Sequence, residues 1–68
     1  MRNPIYPDLV GEMAKHGDTL KTIAKLLDLT VPSIWSRFAG KKDWTISEIE
    51  TICDHYGKSY DDLFKRVN

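Results

Sequence analysis

Cysteine is almost missing from this chain of 68 residues: Cys53 stands alone, so no internal disulfide can close, and with His16 and His55 it makes no zinc-finger spacing. No metal and no cofactor are expected. No apolar run approaches the roughly 18 residues that a membrane span needs, and the start MRNPIYPD lacks the charged-then-apolar pattern of a secretory signal. The expectation is a cytoplasmic chain with no membrane partner. A glycine-rich phosphate loop, HExxH spacing and a nucleophile with its base and orienting group are also missing, so neither an enzyme nor a small-molecule ligand is expected. Even net charge is missing: ten Lys and Arg balance ten Asp and Glu, which taken as a total argues against an extended polyanion as partner.

What is present is the composition of a folded globular chain, 41% hydrophobic and 29% charged, at a length that suits one domain over residues 1–68. The charge is unevenly placed. Residues 1–42 carry seven bases against four acids, and residues 43–68 carry three against six, so a molecule neutral in total has one basic and one acidic half. Opposite charge on two halves points to an oriented partner.

Five short helices can be read from apolar spacing and punctuation, and period-2 alternation never persists long enough to suggest a strand, so the fold class is all-α. The first follows Pro7, which fits a first helical turn, and carries Leu9, Val10, Met13 and Ala14 as far as Gly17. The second is capped by Thr19 and buries Leu20, Ile23, Ala24 and Leu27, ending at Asp28. The third is capped by Thr30, has Pro32 in its first turn, turns Ile34 and Phe38 inward and closes at Gly40. Thr45-Ile46-Ser47-Glu48 reads as a capping box, with Trp44 and Ile49 placed as its hydrophobic staple. The fourth helix then spans about 46–56 with Ile46, Ile49, Ile52, Cys53 and Tyr56 inward, and Gly57 stops it. Ser59 caps a last short helix with Tyr60, Leu63, Phe64 and Val67 as its apolar stripe.

The second and third helices are joined by only Asp28-Leu29-Thr30, which forces a large crossing angle. Ala24 is small where the axes must approach, and Leu29 can plug the gap, so residues 20–39 read as a helix-turn-helix. In that motif the second helix is offered to the DNA major groove and the start of the first lies against the backbone. With TLKTIAKLL from Thr19, Leu29-Thr30, IWSRFAGK from Ile34 and WTISEI from Trp44, the chain resembles the lambda-repressor-like, Cro-type helix-turn-helix family over Leu9 to Phe64. The pattern is similar to small phage-type regulators of Gram-positive bacteria. The resemblance implies a compact five-helix domain, often a homodimer, that binds a double-stranded DNA operator and represses or switches a promoter.

Three positions depart from the family pattern. Asp28 stands where glycine usually allows a left-handed turn, and Leu20 where many members have a glutamine that touches DNA. The third is the recognition helix, 31–39: with Ile34 and Phe38 inward, Pro32 and Ser36 are outermost and Ser33, Trp35 and Arg37 flank them, with no Gln or Asn. Base reading is therefore expected from the Ser33 and Ser36 hydroxyls, from Val31, Pro32 or Trp35 on thymine methyls, and from one Arg37 contact, giving modest discrimination. Phosphates are expected at the start of the second helix, Thr19 to Thr22, and at Thr30, Lys21 and the Lys41-Lys42 pair. Residues 19–42 carry five bases and one acid. About four neutralised phosphates would give a salt slope near −3.6 per subunit.

Blander readings stand beside these. Lys41-Lys42 could be a solvated loop; Trp35 could be partly buried, touch DNA or hold a protein; and Tyr60, Phe64 and Val67 divide between core packing and a dimer interface. Cys53 reads as a small core hydrophobe, His16 and the Asp61-Asp62 pair as complements to helix dipoles, and His55 as a surface residue. A different class of function is the motif turned to protein binding, with Leu20, Val31 and Trp35 as an apolar surface for a repressor or a regulatory complex.

Overall fold

The structure, a computed structural model, describes residues 6–65. Five helices follow one another: α1 (Pro7–Lys15), α2 (Leu20–Leu27), α3 (Val31–Phe38), α4 (Ile46–Tyr56) and α5 (Tyr60–Leu63), with no strand among the described residues. The expected helices are all found, and the third stops one residue early, Ala39 serving as its C-cap.

Four of the five start on a hydroxyl that satisfies a backbone donor the helix itself leaves over. Thr30 caps α3 alone, accepting the Ser33 N–H at 3.3 Å. At α4 the capping box closes in both directions, Glu48 N–H to Thr45 Oγ1 and Thr45 N–H to Glu48 Oε1, each 3.1 Å. Thr19 with Thr22 and Ser59 with Asp62 make the same reciprocal pair at α2 and α5. Those two boxes were invisible in the sequence because Thr and Asp stand where the motif has Glu or Gln. α1 lacks a side-chain cap and relies on Pro7, which has no N–H to leave unpaired.

The core is built from Tyr6, Leu9, Met13, Ile23, Ala24, Ile34, Ile52, Tyr56, Leu63 and Phe64. Trp44 stands between Phe38 and Phe64, edge-on to each at centroid distances of 5.4 and 5.6 Å, and so joins the end of α3 to α5. Its indole N–H is buried without a hydrogen-bond partner among the described residues.

Ile46 corrects the expected stripe of α4: it is 78% exposed, not inward. As the first residue of the helix it has no preceding turn packed against the core, although its spacing to Ile49 is helical. Cys53 is half-buried and packs against the core, as expected of a small hydrophobe on that stripe; burial first, then Asp54 and Asp62, push its thiol above the usual range.

Candidate nucleic-acid interface

α2 and α3 share the most extensive helix contact among the described residues. Ile23 and Ile34 are fully buried and Ala24 is 4% exposed, so its methyl lets the two axes approach. The joint between them is closed by Asp28 in the left-handed conformation at φ 57, where glycine is the ordinary occupant. That conformation turns the chain so that the Leu29 N–H reaches back to the Ala24 carbonyl at 2.8 Å. Leu29 itself is half-buried against the core, as a plug for the gap should be.

On the outward side of α3, Val31 and Pro32 are exposed and Trp35 is 51% exposed, while Ser33 and Ser36 are half-buried. The loop after α3 folds back on this face: Lys41 Nζ lies 4.9 Å from the centre of the Trp35 ring. Lys21 and Lys42 are exposed and Thr22 half-buried. The Thr30 hydroxyl accepts the Ser33 N–H and keeps its own proton to donate outward, whereas the Thr19 hydroxyl, which accepts the Thr22 N–H, also lies 3.4 Å from the Thr22 hydroxyl. Only Val31 can offer a first-turn N–H at the start of α3 ahead of the cap bond, because Pro32 has none. α2 is therefore the better phosphate cradle of the two.

Arg37 corrects the expected base contact. It is 5% exposed, with Nε and Nη2 on the two Glu48 oxygens at 2.9 and 3.0 Å and Nη1 on the Ser33 carbonyl and hydroxyl at 3.0 and 2.6 Å. The fork is filled by a carboxylate of matching geometry, so this arginine fastens α3 to α4 instead of facing outward. Burial alone would raise the Glu48 carboxyl, but the Arg37 hydrogen bonds and the Thr45 N–H outweigh it and hold the group below the carboxylate range. Ser33 is drawn inward by the same network.

Of the residues expected at a dimer interface, Phe64 is 3% exposed and belongs to the core, a correction forced by its contacts with Tyr6 and Trp44. Tyr60 is 55% exposed. Val67 lies outside the described residues.

Two residues with no DNA contact expected of them border the same surface. Lys25 is exposed one turn beyond Lys21 on α2, a spacing of four that was readable in the sequence. His55 comes from α4, 37 positions from Asp18, and no local pattern could have placed it. Its Nε2 lies 3.2 Å from Asp18 Oδ2, the oxygen to which the Tyr56 hydroxyl donates at 2.7 Å. The Tyr56 hydrogen bond, with His55 beside it, holds the Asp18 carboxyl below its ordinary range despite partial desolvation. Since Asp18 directly precedes the Thr19 cap, this cluster fastens the start of α2 to the end of α4.

No protein-family model matches the chain, and no curated protein or solved structure matches it significantly. Among the described residues, no helix is long and apolar enough to cross a membrane.

Proposed function

We propose that the chain is a lambda-repressor-like, sequence-specific regulator of transcription, a phage-type repressor or switch protein that lays α3 in the major groove of duplex DNA. The reading rests on one observation above the others. The α2–α3 pair, locked by the Asp28 turn, leaves the Val31, Pro32 and Trp35 side of α3 outward with Lys41 folded over it. Lys21, Lys25 and Lys42 are exposed around that face and supply phosphate contacts, and the start of α2 supplies backbone donors. A homodimer would set two such helices about one helical turn apart on a near-palindromic operator.

With Arg37 turned inward, base discrimination falls to the Ser36 hydroxyl and to apolar contact with thymine methyls. The test is an NMR titration with a random duplex of about 20–25 base pairs at three salt concentrations. Amide shifts clustered at residues 19–22 and 30–42 that fade steeply with salt support the reading, and Lys41→Glu or Ser36→Glu should abolish them in a folded chain. Unmoved amides in those segments reject it. The half-exposed Trp35 beside Val31 also suits a second reading, a protein bound to the face of α3. Loss of function in Trp35→Ala alone, with both glutamate variants harmless, would establish that one.

A further inference from the structure

Beside the α3 face runs a groove of ≈ 740 Å³ whose floor includes Leu26, Leu29 and Val31 and whose rim carries Lys21, Lys25 and His55. No Asp or Glu lines it. Val31 is 40% exposed, and Leu26 and Leu29 are half-buried, so apolar surface is left open to water beside the Lys21 and Lys25 ammonium groups. A nucleic-acid backbone does not suit such a floor, since phosphates would be desolvated against leucine and valine without compensation. Stacked bases do not suit it either, because none of the aromatic residues that make stacking platforms lies at its floor. The fit is to a helix-in-groove partner with apolar anchors and acidic flanks.

We propose that this groove docks a short acidic amphipathic segment of another protein. Its apolar side chains rest on Leu26, Leu29 and Val31, and its carboxylates face Lys21 and Lys25. The docking stands independently of DNA binding. Its regulatory consequence rests on the DNA reading: the groove is also lined by Thr19 and Thr22, so an occupant takes Lys21 and the start of α2 from the phosphates, and segment and duplex exclude each other.

The experiment pans a displayed library of random 12-residue peptides on the chain, with counter-selection on the folded double variant Lys21→Glu/Lys25→Glu. A synthetic peptide of the winning sequence then serves as the probe in fluorescence anisotropy and in displacement of a labelled duplex. The expected winners pair Leu, Ile or Phe at helical spacing with flanking Asp or Glu. Their binding should fall at least ten-fold in the double variant and in Val31→Asp, a change at an exposed first-turn position that leaves the fold intact, and they should displace the duplex. The docking proposal is overturned if no winner needs both lysines, if winners lack acids, or if the chain self-associates through the groove and both variants abolish that. Peptide that binds without displacing bound duplex overturns the exclusion alone. A chain that takes the peptide and no duplex at all sinks the DNA reading and leaves the docking standing.

Discussion

Neutralising Glu48 tests the account of Arg37 most directly. Only 6% of the Arg37 side chain and 14% of the Glu48 side chain reach solvent, and two charge-assisted bonds join them. Glu48→Gln keeps the size, and its amide oxygen can still accept the Thr45 and Arg37 Nε protons. Its amide nitrogen, however, replaces the oxygen that accepts from Arg37 Nη2, so a buried guanidinium is left against a neutral amide with one hydrogen bond lost and two donors facing each other. Removing one partner of a fully buried pair costs about 3–5 kcal/mol. With the carboxylate partly wet, roughly 2–3 kcal/mol is expected here. A chain of this length has only about 3–10 kcal/mol of stability in total. Each kcal/mol moves Tm by about 4–8 °C, so the helical circular-dichroism melt at pH 7 should drop by about 10–20 °C.

The double variant Arg37→Met/Glu48→Gln removes both charges and should recover most of that loss. It also separates packing from recognition, because a lost bidentate base contact costs about 1–3 kcal/mol and would persist in the refolded double variant. Its duplex affinity and salt slope should match the unaltered chain. Two results refute the reasoning: a Glu48→Gln melt within about 3 °C of the original, or a well-folded double variant whose duplex affinity is down by about ten-fold or more.

Asp28→Val places a β-branched residue at φ 57 and should cost about 1–2 kcal/mol in urea unfolding; a neutral result would mean the turn relaxes. Gly11 sits inside α1 with nothing within 4 Å of an added Cβ, so Gly11→Ala should stabilise by about 0.5–1 kcal/mol, and a loss of stability would reject that placement. Asp18, Glu48 and Asp62 all titrate below their ordinary range, held by the Tyr56 hydroxyl, by Arg37 with Thr45, and by the Ser59 N–H. Their contribution is complete above the unfolded carboxylate range near pH 4 and is lost as pH falls through the folded values, so urea midpoints should be level down to about pH 5 and decline below about pH 4. A midpoint unchanged at pH 2.5 would contradict this, and Asp18→Asn should shrink the decline. In a selected DNA site, deoxyuridine in place of thymidine opposite Val31 or Trp35 should weaken binding about four-fold per methyl, at about 0.8 kcal/mol each; unchanged affinity would remove the methyl contacts from the account.

What could be read from the sequence was whatever is settled within one turn of chain. The capping box at Thr45 and Glu48, the stop at Gly57 and the left-handed requirement at Asp28 are all local demands on φ, ψ or a backbone donor, and each is met where it was expected. Apart from the reciprocal bonds of Thr22 and Asp62 in their capping boxes, what could not be read depends on the packing of one helix against another. Glu48 shows this within one side chain: its role at the start of α4 is written in the motif, while its role as the partner of Arg37, 11 residues away on α3, has no sequence pattern. A helical projection of α3 put Arg37 on the flank of the outward face, and that was geometrically sound; it failed because a long flexible side chain goes where its charge is best met, not where its Cα points. Ile46 failed for the converse reason, since spacing assigns a face but not the distance to the core at the end of a helix.

The inward turn of Arg37 changes how the zero net charge should be understood. Seven of the ten bases lie in residues 1–42, and the structure takes one of them out of solvent by pairing it with an acid of the other half. That pairing neutralises charge in the last turn of α3 and leaves Lys21, Lys25, Lys41 and Lys42 exposed at the border of the surface. A surface with cations at its border and Val31, Pro32 and Trp35 at its middle separates two jobs that arginine often combines. The border sets affinity and its salt dependence, and the middle sets which partner fits. Substitutions at the border should therefore change affinity almost equally for every duplex, whereas substitutions at Val31 or Trp35 should change the ranking among duplexes, and that difference in kind is what a reader of DNA built on this face requires.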